Sequence, residues 1–341
     1  MRLKTHIYRL HNSFVFRIAH GSRSSIDTFF VRLQADGLEG VGEATPVPYY
    51  GMTPQKMEEL LEIQRERIET AVWTSPEDLW QQLDPFLHEN RFAQCALDIA
   101  AHDLFAQKQG KPLYASWELS LDTVPLSNYT IGIDEIDQMV QKMKEVDFPI
   151  YKIKLGTEND LAIVEALRKH SNAVFRVDAN CAWTVEQTIE YAPELKKLGV
   201  EFIEQPLPAN QMAEMEEVFA KSVLPVIADE SCIQEQDVLA CVGKFHGVNI
   251  KLAKCGGLTP ARRMIAQAKD FGMKTMCGCM TESSVGISAI AQLLPLLDYV
   301  DMDGALLIAN DPASGVRVEK GAVVFPERPG IGAILPDLDR E

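Results

Sequence analysis

Ile150-Tyr-Lys-Ile-Lys-Leu155 and, one unit further on, Val174-Phe-Arg-Val-Asp178 are short apolar runs interrupted by charges. Side chains alternate faces along a strand. Tyr151, Ile153 and Leu155 therefore share the apolar face, and Lys152 and Lys154 both point to the opposite one. Similar runs recur through the rest of the chain: Tyr129-Thr-Ile131, Val200-Glu-Phe-Ile-Glu204, Pro225-Val-Ile-Ala-Asp229, Val248-Asn-Ile-Lys-Leu252, Lys274-Thr-Met-Cys277 and Tyr299-Val-Asp-Met-Asp303. Amphipathic segments such as 135–146, 160–169, 185–198 and 260–271 separate them. Eight strand candidates alternating with seven helical connectors, about 22 to 28 residues apart, predict a parallel β/α barrel. A doubly wound open sheet is the competing arrangement, but it would usually carry a Gly-rich first turn, and no G-x-G-x-x-G or G-x-x-x-x-G-K-[ST] occurs.

The first 115 or so residues have a different texture. Thr28-Phe-Phe-Val-Arg-Leu33 and Gly40-Val-Gly-Glu-Ala44 read as two strands about the turn Asp36-Gly37. Helical spacing follows in 57–68 and 92–106. Strands and then helices, without alternation, predict a small α+β unit. The tract Thr45-Pro-Val-Pro-Tyr-Tyr-Gly51 reads as a loop of that unit.

The 341 residues carry 33 Lys plus Arg against 49 Asp plus Glu, a formal charge of −16. That balance argues against nucleic acid, which needs a basic face, and against an anionic membrane surface. No apolar stretch approaches a membrane span, and no apolar run follows Met1-Arg-Leu-Lys-Thr-His6, so no signal peptide is expected. The seven cysteines lack the spacing of a disulfide framework or a zinc site. A cytoplasmic protein with buried thiols is the expectation.

The strand ends carry the chemistry. Lys152 and Lys154 fall on the second barrel strand, Asp178, Glu204 and Asp229 end the third, fourth and fifth, and Lys251 ends the sixth. Glu282 lies just past the seventh, and Asp301 and Asp303 are on the eighth. Parity turns Asn249 and Lys251 inward; Lys254 has the opposite parity and reads as a loop residue. Catalytic groups of barrel enzymes sit at the carboxyl ends of strands, and buried charges are costly unless paired or metal-bound. A rim of structural salt bridges would account for any one of these residues. The set of three consecutive acids flanked by lysines fits a Mg²⁺ site better, with hard oxygen ligands. No histidines cluster at these strand ends, which counts against zinc.

Such a metal can chelate a substrate carboxylate and neutralise the enolate formed when the α-proton leaves. Lys154 and Lys251 would then supply a base on each face of the α-carbon, with burial and the charge of Lys152 lowering the pKa of Lys154. Two opposed bases suggest racemisation or epimerisation; elimination needs only one.

These residues resemble the enolase superfamily in its muconate lactonizing enzyme subgroup. The matching pieces are Lys152-Ile-Lys154, Val177-Asp178-Ala-Asn180, Ile203-Glu204-Gln-Pro-Leu207, Ala228-Asp229-Glu-Ser231 and Asn249-Ile-Lys251 with Gly256-Gly257. The resemblance implies an α/β fold: a (β/α)7β barrel over residues 116–315, an α+β capping domain over 1–115, and a segment 316–341 that returns to the cap. It further implies one Mg²⁺ on Asp178, Glu204 and Asp229, Lys154 and Lys251 as the acid/base pair, and Lys152 on the substrate carboxylate. Asn180 and Glu282 would support these groups from behind, Glu282 by orienting a base.

Two features are similar to the L-Ala-D/L-Glu epimerases within that subgroup. Asp301-Met-Asp303 would bind the dipeptide's ammonium group through charge-assisted hydrogen bonds, and Arg23, in His20-Gly-Ser-Arg-Ser24, would grip a glutamyl carboxylate. A strand-end turn and a solvated loop arginine are the plain alternatives for these two. Thr130 is expected in the pocket wall. Gly304-Ala305 departs from the small residue and Pro usual after the second Asp, which touches only local loop shape. The implied activity is dipeptide epimerisation in murein peptide metabolism. The alternatives are other dipeptides, N-acyl amino acid racemase, o-succinylbenzoate synthase, muconate cycloisomerase, or a non-catalytic metabolite-binding barrel. The expected partner is a small dipeptide, and the resemblance allows several homo-oligomeric assemblies.

Overall fold

The computed structural model describes residues 1–18 and 21–338, with side chains described outside 15–23. The chain opens with an antiparallel sheet of β1 (Arg2–Ile18), β2 (Gly21–Ala35) and β3 (Leu38–Ala44). Five helices follow: α1 (Pro54–Ile63), α2 (Arg65–Thr70), α3 (Pro76–Leu87), α4 (Arg91–Gln109) and α5 (Leu113–Ser116). The stretch expected as one helix over 57–68 is two, broken at Gln64. The hairpin is longer than the sequence suggests: it runs through Arg23, whose backbone pairs with Phe16, so this residue sits on a strand rather than in a loop.

Helix α4 is the spine of this cap. The Asn90 side chain caps its N-terminus by accepting from Ala93 N, and Gly110 ends it in the left-handed conformation at φ 66°. It lies directly against β3 because Gly40 and Gly42 present no side chain; a Cβ on Gly42 would sit 2.0 Å from Ala96 O.

The barrel is an eight-stranded parallel sheet in chain order: β4 (Tyr129–Ile131), β5 (Ile150–Lys154), β6 (Val174–Asp178), β7 (Val200–Glu204), β8 (Val226–Ala228), β9 (Gly247–Ile250), β10 (Lys274–Gly278) and β11 (Tyr299–Asp301). A bridge between Ser127 and Val300 brings the first and last strands together, so the sheet is a nearly closed barrel and not the open alternative. Its connectors are α6 (Ile136–Glu145), α7 (Asp160–Arg168), α8 (Val185–Lys197), α9 (Met215–Lys221), α10 (Glu235–Cys241), α11 (Leu252–Cys255), α12 (Leu258–Asp270) and α13 (Ser284–Ala291). The alternation on β5 holds: Tyr151 turns outward and donates from its hydroxyl to Met143 O, while Lys152 and Lys154 face the interior. Deeper in the barrel, Phe202, Ile227 and Met276 form an apolar floor with Tyr299 against it. The Arg176 guanidinium lies over the Phe202 and Tyr299 rings there and pairs with Glu201 at 2.8 Å.

The cap is bolted to the barrel mouth at several points. The buried Glu43 carboxylate at the end of β3 accepts from Ser283 N, Ser283 Oγ and Gly286 N at the start of α13, where the helix N-terminus favours an anion. Asp98 on α4 accepts from Thr259 N and Oγ1. Asp103 accepts from Val41 N and from Ile331 N in the C-terminal segment, which also carries the small hairpin β12 (Arg317–Glu319) and β13 (Ala322–Val324). The far end of β1 is tied to the loop after β11, through Ser13 N to Leu307 O and Ala309 N to His11 O. All seven cysteines are free, five of them buried, and among the described residues no helix is long and apolar enough to cross a membrane.

Gly42→Ala tests the contact that forms the cap. The new methyl meets backbone, not a movable side chain, so a loss of about 1–3 kcal/mol is expected in urea unfolding. A change below about 0.5 kcal/mol would show that α4 does not rest on β3 in this way.

Candidate active site

Parallel strands of a barrel end at the same mouth, so adjacent strand-end residues become neighbours. The register pairs Lys154 with Asp178 and Asp178 with Glu204, and Asp229 directly follows β8. The three acids each offer an oxygen, all within 4.8 Å of one another, and all three are buried. The backbone immediately after two of them is strained: Asn180, Cys181 and Gln205 have φ of 43°, 67° and 35°. Gln205 then clamps the third ligand loop, its Oε1 accepting from Asp229 N and Ser231 N.

Each acid has one oxygen held by a fixed partner and one turned to a lysine. Asp178 Oδ1 accepts from Asn180 N (2.9 Å) and its Oδ2 from Lys154 Nζ (2.6 Å). Glu204 Oε1 accepts from Asn249 Nδ2 (2.8 Å) and from Lys152 Nζ (3.0 Å); its Oε2 lies 2.8 Å from Lys152 Nζ yet has no well-aligned hydrogen bond. Asp229 Oδ1 accepts from Lys254 Nζ (2.6 Å) and its Oδ2 from Lys251 Nζ (2.7 Å). Three ammonium groups thus stand against the oxygens that a metal ion would take. Three buried carboxylates with one oxygen each to offer, one of them lacking an aligned donor, fit a hard divalent cation.

The electrostatics follow from this pairing. Burial opposes ionisation of Asp178, but Lys154 and Lys152 outweigh it and hold its carboxyl down at about 2. Glu204 goes the other way: burial, then the Asp178 charge, push it up to about 7. Burial also works against the charge on Lys251, yet Asp229 raises its pKa well above the ordinary lysine value. For Lys152 the same contest is won by Asp301 and Glu204. Its amine pairs with Glu204, Asp178 and Asp301, contacts beyond the substrate carboxylate and the neighbouring Lys154 expected from the sequence.

A cavity of about 170 Å³ opens above these groups. Lys152, Lys154, Lys251, Asn180, Thr130, Asp301 and Asp303 all line it, with Glu230 beside them. The Asn180 Oδ1 and Glu230 Oε2 atoms are buried and accept no hydrogen bond. At the opposite side, Asp301 accepts from Asn128 Nδ2 (2.7 Å) and Lys152, while Asp303 Oδ2 accepts from Thr130 N (2.6 Å). Burial and then the Asp301 charge raise Asp303 to about 7, the mark of a place that wants a cation. Asn12, Ile26, Val47, Tyr49 and Tyr50 reach in from the cap.

One expected residue stands apart from this group. Glu282 is buried under the start of α13, outside the cavity wall, where burial and then Glu43 raise it to about 8. The Arg23 side chain lies outside the described residues. Conversely, Lys254 is no loop residue. The strand ends at Ile250 and Leu252–Cys255 is helical, so Lys254, three residues past Lys251, returns to the same side. A helical reading of that turn would have found it.

A nearly closed parallel barrel under an α+β cap, with three acids between lysine-bearing strands at its mouth, defines a metal-assisted carbon-acid enzyme of the enolase type. The chain belongs to the mandelate racemase and muconate lactonizing enzyme group of the enolase superfamily: the "Mandelate racemase / muconate lactonizing enzyme, N-terminal domain" matches residues 4–116, and "Enolase C-terminal domain-like" matches 134–338. It is 54% identical over 338 residues to an L-Ala-D/L-amino acid epimerase of Flavobacterium johnsoniae, covering 98% of this chain and 100% of that one. Its fold is similar to that of a substrate-liganded L-Ala-D/L-Glu epimerase from Bacillus subtilis (TM-score 0.93, 25% identity, 99% of both chains). It is also similar to a dipeptide epimerase from Cytophaga hutchinsonii complexed with Mg and D-Ala-L-Val (TM-score 0.91, 27% identity, 98% and 96% of the chains).

If the triad takes up Mg²⁺, the ion should stabilise the fold by mass action, by about 2.7 kcal/mol at a concentration 100-fold above Kd. A rise in the thermal midpoint is expected for the wild type, reversed by chelator and lost in Asp229→Asn. Equal rises in both proteins would place the ion elsewhere.

Proposed function

We propose that this chain is a Mg²⁺-dependent dipeptide epimerase that inverts the α-carbon of the carboxy-terminal residue. The observation that carries this reading is the placement of Lys154 and Lys251. They stand on β5 and at the end of β9, four strands apart in an eight-stranded barrel, and hence on opposite sides of its mouth. The three acids lie between them along one side and Asp301 and Asp303 along the other.

Mg²⁺ on Asp178, Glu204 and Asp229 would neutralise the substrate carboxylate and the enolate it becomes. The chain's own residues do the rest. A neutral lysine removes the α-proton on one face, and the C–H electron pair moves into the carboxylate as an enolate. The opposite lysine, as ammonium, returns a proton to the other face and inverts the centre. Lys152 supports the carboxylate end of this array through Glu204 and spans to Asp301, where the dipeptide's ammonium group would bind between Asp301 and Asp303. That pair favours a free amino terminus over an N-acyl substrate. Thr130 shapes this end by holding Asp303, and Asn180 holds Asp178. Glu282 would act on Lys251 only from a distance.

The finer reading is L-Ala-D/L-Glu epimerisation, with Arg23 meeting the glutamyl carboxylate, in cytoplasmic recycling of murein peptides. It divides the chain into a cap of 1–115, a catalytic barrel of 116–315 and a segment of 316–341 that locks one to the other.

The test is α-proton exchange in D₂O on a panel of L,L-dipeptides. Metal-dependent deuterium uptake with inversion at the second residue is expected, L-Ala-L-Glu included; no uptake on any dipeptide would sink the reading. Lys154→Ala and Lys251→Ala should each lose epimerisation, by about 10³-fold or more, yet still exchange the one epimer whose proton faces the surviving lysine. Full epimerisation by either variant would remove the two-base assignment. Arg23→Ala should slow L-Ala-L-Glu far more than L-Ala-L-Ala, and equal losses would free Arg23 of that role.

A further inference from the structure

Lys254 is a fully buried cation that neither the proton transfers nor the metal ligation uses. Its side chain has 0% exposure. Its Nζ donates to Asp229 O (2.5 Å), Asp229 Oδ1 (2.6 Å) and Cys232 O (3.1 Å). An ammonium has three donors and no acceptor, and here all three donors are engaged. Lys254 has no donor left for substrate and no lone pair to act as a base.

The three acids make its role visible by comparison. Asp178 Oδ1 accepts from a backbone N–H, and Glu204 Oε1 from the Asn249 amide and, at 3.0 Å, from Lys152 Nζ, the same ammonium that stands at its other oxygen. Asp229 differs in that its two oxygens accept from two different ammonium groups, Oδ1 from Lys254 and Oδ2 from Lys251. One carboxylate therefore sits between two ammonium groups. The helical turn bearing Lys254 is also immobilised by the cap: Trp80 Nε1 donates to Gly256 O at 3.1 Å, and a Cβ on Gly257 would lie 2.4 Å from Asp98 Oδ2. Lys254 cannot follow Asp229 if that side chain moves.

We propose that Lys254 is a positioning residue for Asp229 and, through it, for Lys251. It keeps Oδ1 occupied and compensated and leaves Oδ2 to Lys251. A metal ion held by the triad would weaken the hold of Asp229 on Lys251, and Lys254 would keep Asp229 compensated as Lys251 turns toward the α-carbon. This rests on the epimerase reading for the role of Lys251, but not for the bonds of Lys254.

Lys254→Met keeps the length of the side chain and removes its charge. Without Lys254, Asp229 loses its fixed ammonium partner and holds Lys251 more strongly. At saturating Mg²⁺, exchange of the epimer served by Lys251 should fall about tenfold or more, equivalent to about 1.4 kcal/mol, while exchange through Lys154 stays within about threefold. The two single-lysine variants define which epimer is which. Mg²⁺ binding measured by calorimetry should weaken by a similar factor. Equal losses on both faces, or no loss on either, overturn the proposal, the first by reducing Lys254 to a stabiliser of the fold. If Lys254→Met does not fold, side-chain ¹⁵N NMR of the wild-type lysines decides: the Lys254 ammonium signal should persist on adding Mg²⁺ while that of Lys251 shifts. Loss of the Lys254 signal overturns the proposal. Wild-type protein that exchanges no dipeptide would sink the epimerase reading instead, and leave calorimetry and NMR to judge Lys254.

Discussion

Three carboxylates at the ends of neighbouring parallel strands cannot avoid one another, and the rest of the barrel mouth answers that repulsion. The acids are buried within 4.8 Å of each other, where water does little to screen them and an uncompensated charge costs several kcal/mol. Their pKa values separate as a result, with Asp178 held at about 2 and Glu204 pushed up to about 7. Lysines on both flanking strands supply the compensating charge. The groups proposed to move protons are thus also the counter-ions of the metal ligands. Taking up a cation in the triad would loosen the hold of the acids on the lysines, and would turn ion-pair partners into bases. Catalytic readiness and metal binding are one electrostatic event under this reading, and the apparent excess of lysines is its requirement.

Much of this was legible because a strand imposes a period of two and a parallel barrel gathers strand ends at one mouth. Tyr151-Lys-Ile-Lys-Leu155 states its own orientation, and the order of acids and lysines along the chain becomes their order around the ring. Legibility ends where the period changes. Strand parity carried past Ile250 into the helical turn Leu252–Cys255 puts Lys254 in a loop. Arg176 faces the interior by the same rule that placed Asp178, but its partners, Glu201 and the Phe202 and Tyr299 rings, are chosen by the barrel's curvature. Glu282 sits close to Lys251 in strand order, yet the turn into α13 buries it beneath the helix. Of the long hairpin of β1 and β2 only 28–33 is legible, because residues 2–14 bury Leu3 and Leu10 and otherwise mix charges with partly exposed groups. It is shaped by what it touches, as at Ser13 and His11 against the loop after β11.

The cap illustrates why some sequence features that look chemical are in fact matters of approach. Gly256-Gly257 lies close to Lys251, and a Gly pair beside a catalytic strand invites a reading as a ligand loop. The structure gives it another meaning. Gly257 has φ +118° and passes so near Asp98 that no side chain fits, while Gly256 offers its carbonyl to Trp80. These glycines let α3 and α4 press on the turn that carries Lys254. Burial raises Asp98 to about 7 although Thr259 donates to it twice. A costly buried acid at a contact between cap and barrel is tolerable where it fixes the turn on which a metal ligand depends.

The same bolts separate what the cap can vary from what it cannot. Glu43, Asp98 and Asp103 each satisfy backbone donors in the barrel or the C-terminal segment, so α4 and β3 have little freedom to shift. The residues that face the cavity from above, Asn12, Ile26, Val47, Tyr49 and Tyr50, come instead from the hairpin and the 45–51 loop, outside those anchors. Substitution there changes the shape offered to a substrate side chain and leaves the triad, the opposed lysines and Lys254 in place. Barrel geometry thus sets where a proton can leave and return, since strands four apart stand on opposite sides of the mouth. The cap sets which carbon is brought there.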